Sequence, residues 1–168
     1  MGKFGVVQLS IRSATSLDLP AILAVNRQST PGVAKLSRSE VEDILGTAPY
    51  VRVAAVASHI VGYLIGYLAS SQYGGEEFVW FQDRYSHFFY IDQVAVTAHC
   101  RGRGIGAQFY QEVEQCAYVR HIPLLTCEVN LYPPNPGSFR FHTRWGYQVV
   151  QELETADGRK VVLMMKRV

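Results

Sequence analysis

Residues 88–106 read Phe-Phe-Tyr-Ile-Asp-Gln-Val-Ala-Val-Thr-Ala-His-Cys-Arg-Gly-Arg-Gly-Ile-Gly, and no other stretch narrows the fold so far. Residues 88–96 are apolar, aromatic or β-branched apart from Asp92 and Gln93, the composition of a buried strand. A short polar turn follows, then a loop in which Gly102, Gly104 and Gly106 alternate with Arg103 and Ile105, behind Arg101. Beyond it Ile105, Phe109, Val113, Cys116 and Ala117 recur at helical spacing and form one apolar stripe. Glycines leave backbone N–H groups unshielded, a helix N-terminus adds the positive end of its dipole, and arginine forks match phosphate oxygens. The loop is either an anion cradle or a tight strand-to-helix turn that binds nothing, and its two arginines favour the cradle. It is not a Walker loop, because no Lys-Ser or Lys-Thr occurs in the chain. Nor does its spacing fit the dinucleotide fingerprint.

The rest of the chain supplies strands and helices around this unit. Residues 6–12 alternate as a short strand. Thr15 or Ser16 caps a helix with Pro20 in its first turn and Leu19, Ile22, Leu23 and Asn26 on neighbouring turns, ended by Thr30-Pro31-Gly32. Ser37-Arg-Ser-Glu40 is a capping box opening a second helix. Residues 50–57 and 60–68 form a hairpin, and Gly62 and Gly66 mark one face of it where something approaches closely. Residues 70–87 read as a long connection rich in aromatics. That segment forms a wall or lid of a substrate pocket, or it covers core or a dimer contact. Trp80 and Phe81, with Tyr90, are the candidate substrate contacts. A strand over 124–130, an extended connector, a helix over 137–145 stopped by Gly146, and a hairpin of 147–153 with 160–166 complete the chain. The order implies a mixed α/β sheet with helices on both faces, in one domain spanning residues 1–168.

Composition excludes several function classes. A formal charge of +2 with scattered basic residues argues against a nucleic-acid partner. Three cysteines without Cys-x-x-Cys spacing suggest neither a disulfide framework nor a zinc site, so no metal is expected and the cytoplasm is the expected compartment. No apolar run reaches the roughly 18–20 residues of a membrane span. The start lacks a signal-peptide core, and Gly2 lacks the Ser or Thr of an acylation site.

Arg101 to Gly106 fits Arg/Gln-x-x-Gly-x-Gly/Ala and resembles the pyrophosphate loop of the GNAT superfamily of acyl-coenzyme A-dependent N-acetyltransferases. A second match lies downstream. The superfamily carries an Asn opening the last helix, a small residue three later, a Tyr seven later and Gly-Phe; this chain has Asn135, Ser138, His142 and Gly146-Tyr147. His142 replaces the Tyr. The strings Cys-Glu-Val-Asn and Pro-Pro-Asn-Pro are similar to an uncharacterised bacterial branch. The resemblance implies a GNAT fold with a mixed, mostly antiparallel sheet, whose strands bearing Asp92 and Glu128 splay apart. Acetyl-CoA would lie in the gap. Backbone at Val94, Ala95 and Val96 would pair with its pantetheine amides, and Arg101, Gly102, Arg103, Gly104, Ile105 and Gly106 would hold its pyrophosphate. Asn135, Ser138 and Phe141 would flank the thioester end, and Asn130 would also contact the cofactor. Homodimers are common in the superfamily.

The implied reaction is acetyl transfer to a primary amine of a small molecule or peptide, by direct attack in a ternary complex. A Lys-like amine of pKa about 10.4 is neutral only about once in a few thousand molecules at pH 7, so recovering the free base is worth roughly 4–5 kcal/mol. Protonating a leaving thiol of pKa about 8.5 is worth only about 2 kcal/mol. The base therefore matters more than the acid. Glu128 matches the base of ribosomal-protein alanine acetyltransferases; otherwise it is a hydrated strand-end carboxylate. Asp92, read as sharing a face with Tyr90 and Val94, is a second base, a contact for a cationic substrate, or the partner of a core arginine. His142 stands where the superfamily places its acid, about one-quarter protonated at pH 7, or is a plain helix residue. The alternative function is a module of the same fold that binds acyl-CoA without catalysis.

Overall fold

The computed structural model describes residues 8–168. The acylation reading at Gly2 and the start of the first expected strand lie outside the described residues. Seven strands form one sheet: β1 (Leu9–Ser13), β2 (Tyr50–Val56), β3 (His59–Leu68), β4 (Phe89–Val96), β5 (Leu124–Tyr132), β6 (Gln148–Glu154) and β7 (Lys160–Arg167), in the order β1-β2-β3-β4-β5-β7-β6. Every neighbouring pair is antiparallel except β4–β5, which is parallel and joined through α4 (Ile105–Val119). A parallel pair needs such a crossover, because no hairpin can return a strand in the same direction.

The sheet buries both faces. On one, α4 lays Ile105, Phe109, Val113 and Ala117 against Phe89, Leu125 and Val162, as its apolar stripe requires. On the other, α1 (Leu19–Ser29) and the aromatic residues Phe78, Phe81, Phe88 and Tyr90 cover Tyr63, Ile65 and Leu163. Asp18 fixes the entry to α1: its carboxylate accepts from both ends of the Arg12 guanidinium at 2.8 and 2.7 Å and from the Thr15 N–H at 2.8 Å. Those donors hold it down at a pKa of about 2. In α2 (Arg38–Thr47) the expected capping box is present, with the Glu40 N–H donating to Ser37 Oγ at 3.3 Å and the Ser37 N–H to Glu40 at 2.7 Å.

The segment 70–87 is not the unstructured connection expected. It contains a helix, α3 (Glu76–Gln82). Seven residues give barely two turns, and the Phe78 and Phe81 pair it buries is too short a stripe to register as periodicity.

β4 and β5 pair only at Phe89–Leu125, Tyr90–Thr126 and Ile91–Cys127. The parting coincides with an irregularity in β4. Ile65 of β3 faces Gln93 while the next residue, Gly66, faces Ile91, which leaves Asp92 as an extra, bulged residue. A bulge bends its strand and increases local twist. It also breaks the alternation: Tyr90 and Gln93 share the α1 face, and Val94 packs toward α4, contrary to the expectation that Asp92 shares a face with Val94.

Gly62 and Gly66 do mark close approach. A Cβ on Gly62 would lie 2.8 Å from the Ala95 carbonyl, and one on Gly66 would lie 2.4 Å from the Phe89 ring. Gly66→Ala is expected to cost about 1–3 kcal/mol by overpacking. Gly46→Ala in α2, where a Cβ would meet nothing within 4 Å, is expected to stabilise by up to about 1 kcal/mol. Urea denaturation of both variants checks the contrast.

Candidate active site

Where β4 and β5 part, a cleft of about 830 Å³ opens. Its walls are β4 from Ile91 to Val96, β5 from Cys127 to Asn130, the start of α5 (Pro136–Arg144), the crossing segment 28–36, and Tyr67, Tyr73, Glu77, Arg101 and Arg159.

The bulge aims Asp92 into this cleft, opposite Glu128. Asp92 accepts a hydrogen bond from the Tyr73 hydroxyl at 2.7 Å, and the Tyr73 ring stacks on Tyr67 at 4.2 Å. Glu128 accepts a short hydrogen bond from the buried Tyr90 hydroxyl. Glu77, buried on α3, pairs with Arg159 at 2.9 Å; Arg159 also bonds Asp157 at 2.9 Å and donates to Asn130 Oδ1 at 3.3 Å. Burial raises the Asp92 pKa, the Tyr73 bond and Arg159 restrain it and Glu77 adds to it, leaving it at about 6. Burial pushes Glu128 well up as well, reinforced by the charges of Asp92 and Glu77 and opposed by Tyr90 and Arg159. The two carboxyls are coupled, because charging one makes charging the other costlier. Tyr73 and Tyr90, themselves raised by burial, remain protonated donors.

At the other end, Gly102 and Gly104 take φ of +73° and +81°, left-handed values that suit glycine. Among the described residues, no backbone or side-chain acceptor takes the N–H groups of Gly102, Arg103, Gly104, Ile105 or Gly106. Five unpaired donors at the start of a fifteen-residue helix fit an anion such as a diphosphate. Arg101 folds back, donating from Nε to the Val96 carbonyl at 2.9 Å, and so braces the loop against the strand. Val94, Ala95 and Val96 pair with β3 on one edge and have no register partner on the other. That free edge fits an extended ligand carrying amides.

Asn135 caps α5, its Oδ1 accepting the Ser138 N–H at 3.3 Å, and its own N–H donates to the Asn130 carbonyl at 3.1 Å. Phe141 packs over Gly106. His142 departs from expectation. It is buried, with Nδ1 2.8 Å from the Ser138 carbonyl and Nε2 2.5 Å from the Tyr110 hydroxyl. A carbonyl can only accept, so Nδ1 carries the hydrogen and Nε2 accepts from Tyr110. Burial lowers the His142 pKa, so the ring is neutral at pH 7 and presents no proton to the cleft.

Three candidate substrate contacts lie elsewhere. Phe81 is fully buried among Phe88, Tyr85 and Tyr90, and Trp80 lies under the Arg84 guanidinium at 4.0 Å. Tyr90 is also core, reaching the site only through its hydroxyl. From the same aromatic segment Tyr73 and Glu77 line the cleft instead, and Tyr67, Tyr110 and Arg159 join them. Nothing in sequence spacing links residues 73, 77 and 159. The one available signal is Glu77, a carboxylate next to the apolar run Phe78-Val-Trp-Phe81.

The family model for the acetyltransferase (GNAT) family matches residues 24–147. No curated protein matches the chain in a sequence comparison. Ard1 from Thermoplasma volcanium superposes with a TM-score of 0.77 at 18% identity, over 95% of this chain and 97% of that one. Ribosomal-protein-alanine N-acetyltransferase from Brucella melitensis gives 0.71 at 24% identity, over 95% and 99%. Arabidopsis thaliana Naa50, in complex with the bisubstrate analogue CoA-Ac-MVNAL, gives 0.73 at 16% identity, over 95% and 99%. With the family model covering well over half its length and the same mixed sheet beneath it, the chain belongs to the GNAT acetyltransferase family.

Proposed function

We propose that this protein transfers an acetyl group from acetyl-CoA to a primary amine, with a polypeptide α-amine as the first class to test. The observation that carries the reading is the pair of half-buried carboxyls, Asp92 and Glu128, lining the cleft where the phosphate-loop strand parts from its neighbour. The solved relatives named for alanine acetylation of ribosomal proteins, and for a peptide-bearing analogue, support the choice of acceptor.

Acetyl-CoA, when bound, supplies an acetyl group activated as a thioester. The unpaired N–H groups of residues 102–106 hold its diphosphate, and the free edge of Val94, Ala95 and Val96 orients its amides. Asn130, Asn135 and Ser138 line the cleft with the carboxyls, while Phe141 packs over Gly106 at the phosphate loop. Glu77, Asp92 and Glu128 outnumber Arg159, the cation that bears on Asp92 and Glu128, and draw in an ammonium. Glu128, with Asp92 as its coupled partner, takes the proton that must leave before nitrogen can attack. A carboxyl raised toward neutrality suits that task better than an ordinary one. The Tyr110 hydroxyl, also on the cleft wall, donates its hydrogen bond to His142 Nε2. The second reading, an acyl-CoA-binding module without turnover, is favoured by one observation: His142 has no proton to offer the cleft.

Free-thiol release is to be measured with acetyl-CoA and four amines: an alanine-initiated tetrapeptide, Nα-acetyl-lysine amide, spermidine and L-methionine. Turnover with at least one is expected, and binding of acetyl-CoA by calorimetry with no thiol release would leave the second reading standing. Glu128→Gln is expected to lower kcat about 10²–10⁴-fold with acetyl-CoA affinity kept.

Below about pH 6 the Asp92 carboxyl is protonated, and activity is expected to rise as pH climbs through that value. Tyr73→Phe removes a bond to the ionised form, so the Asp92 pKa moves up from about 6. A carbon-detected NMR titration of the Asp92 carboxyl reads that shift directly.

A further inference from the structure

The segment between α1 and α2, residues 30–36, crosses the cleft and is tied down on both banks. On the β5 bank Asn135 Nδ2 donates to the Gly32 carbonyl at 3.4 Å. On the β4 bank Asn26, fully buried on α1, donates from Nδ2 to the Ala34 carbonyl at 2.9 Å and accepts the Leu36 N–H at 2.9 Å. Gln93 Nε2 donates to the same Ala34 carbonyl at 3.3 Å. Tyr63 closes the cluster, donating to Gln93 Oε1 at 2.8 Å and accepting from Asn26 Nδ2 at 2.9 Å.

Asn26, Tyr63 and Gln93 are all buried, and they come from α1, β3 and β4. Burying three polar side chains is costly unless each is satisfied. Here the cluster satisfies itself only by including backbone of a segment that is otherwise exposed at Ala34 and Lys35. The tie sits at Gln93, next to Asp92, and not at the phosphate loop. The segment therefore arches over the cleft at the level of the carboxyls.

Resting on the transferase reading, we propose that Asn26, supported by Tyr63 and Gln93, is a positioning residue for the amine acceptor. It holds residues 33–36 as a wall beside Asp92, and that wall determines which amines fit. Acetyl-CoA makes its contacts further along β4 and on the glycine loop, so its affinity does not depend on the tie.

The test uses the full chain carrying Asn26→Ala, with acetyl-CoA and whichever amine of the four-member panel the wild type acetylates. The acceptor KM is expected to rise about ten-fold, the scale of losing one or two hydrogen bonds. The kcat is expected to stay within about three-fold and the calorimetric acetyl-CoA Kd within about two-fold, on the reasoning that ground-state binding alone is lost. Tryptic cleavage after the exposed Lys35 is expected to quicken about ten-fold as the segment comes free. Tyr63→Phe, which removes one hydroxyl, serves if Asn26→Ala does not fold, with a smaller rise in the same KM and no change in kcat. An unchanged acceptor KM, or acceptor and acetyl-CoA affinities falling together, overturns the proposal. A wild type that binds acetyl-CoA but acetylates none of the panel overturns the transferase reading instead. The tie is then judged by Lys35 cleavage alone, where equal rates in variant and wild type overturn it.

Discussion

One extra residue in a strand sets the terms for everything else in this molecule. The bulge at Asp92 ends the register of β4 with β5 after three residue pairs and turns a carboxyl into the space that opens. Had β4 continued regularly, the sheet would have closed and no cleft would exist between its halves. The same displacement puts Gln93 on the α1 side, where Asn26 and Tyr63 meet it. Cleft, acid and clamp thus share a single backbone cause.

The charge pattern follows from that geometry. Burial alone would neutralise both Asp92 and Glu128, since a desolvated carboxylate without partners is unstable. Phenolic donors and one arginine keep the pair within reach of ionisation. Arg159 is itself committed to Glu77 and Asp157, so it moderates the acidity of the site without cancelling it. The site keeps a negative bias while holding a proton that can be exchanged.

Much of this was legible from residue types. The strand at 88–96, the glycine loop, the stripe of α4, the capping box at Ser37 and the close approach at Gly62 and Gly66 all depend on local chemistry, and local chemistry is what a sequence displays. Asp92 and Glu128 could be singled out because a carboxylate inside an apolar strand needs a reason. What could not be read depends on contacts between distant segments. The bulge is a property of pairing with β3, so alternation placed Val94 on the wrong face. The burial of His142 against the Tyr110 hydroxyl joins residues thirty-two apart in sequence. Tyr73 and Glu77 face the cleft in place of Trp80 and Phe81, because α3 turns Phe81 into the core and leaves Trp80 half-buried under Arg84.

The narrow seam between β4 and β5 has a mechanical consequence. Four strands lie on one side of it and three on the other, joined across the sheet by Phe89–Leu125, Tyr90–Thr126 and Ile91–Cys127. A sheet bends most easily where it has the fewest rungs, so among its ladders a change in the width of the gap costs least at this joint and leaves the others whole.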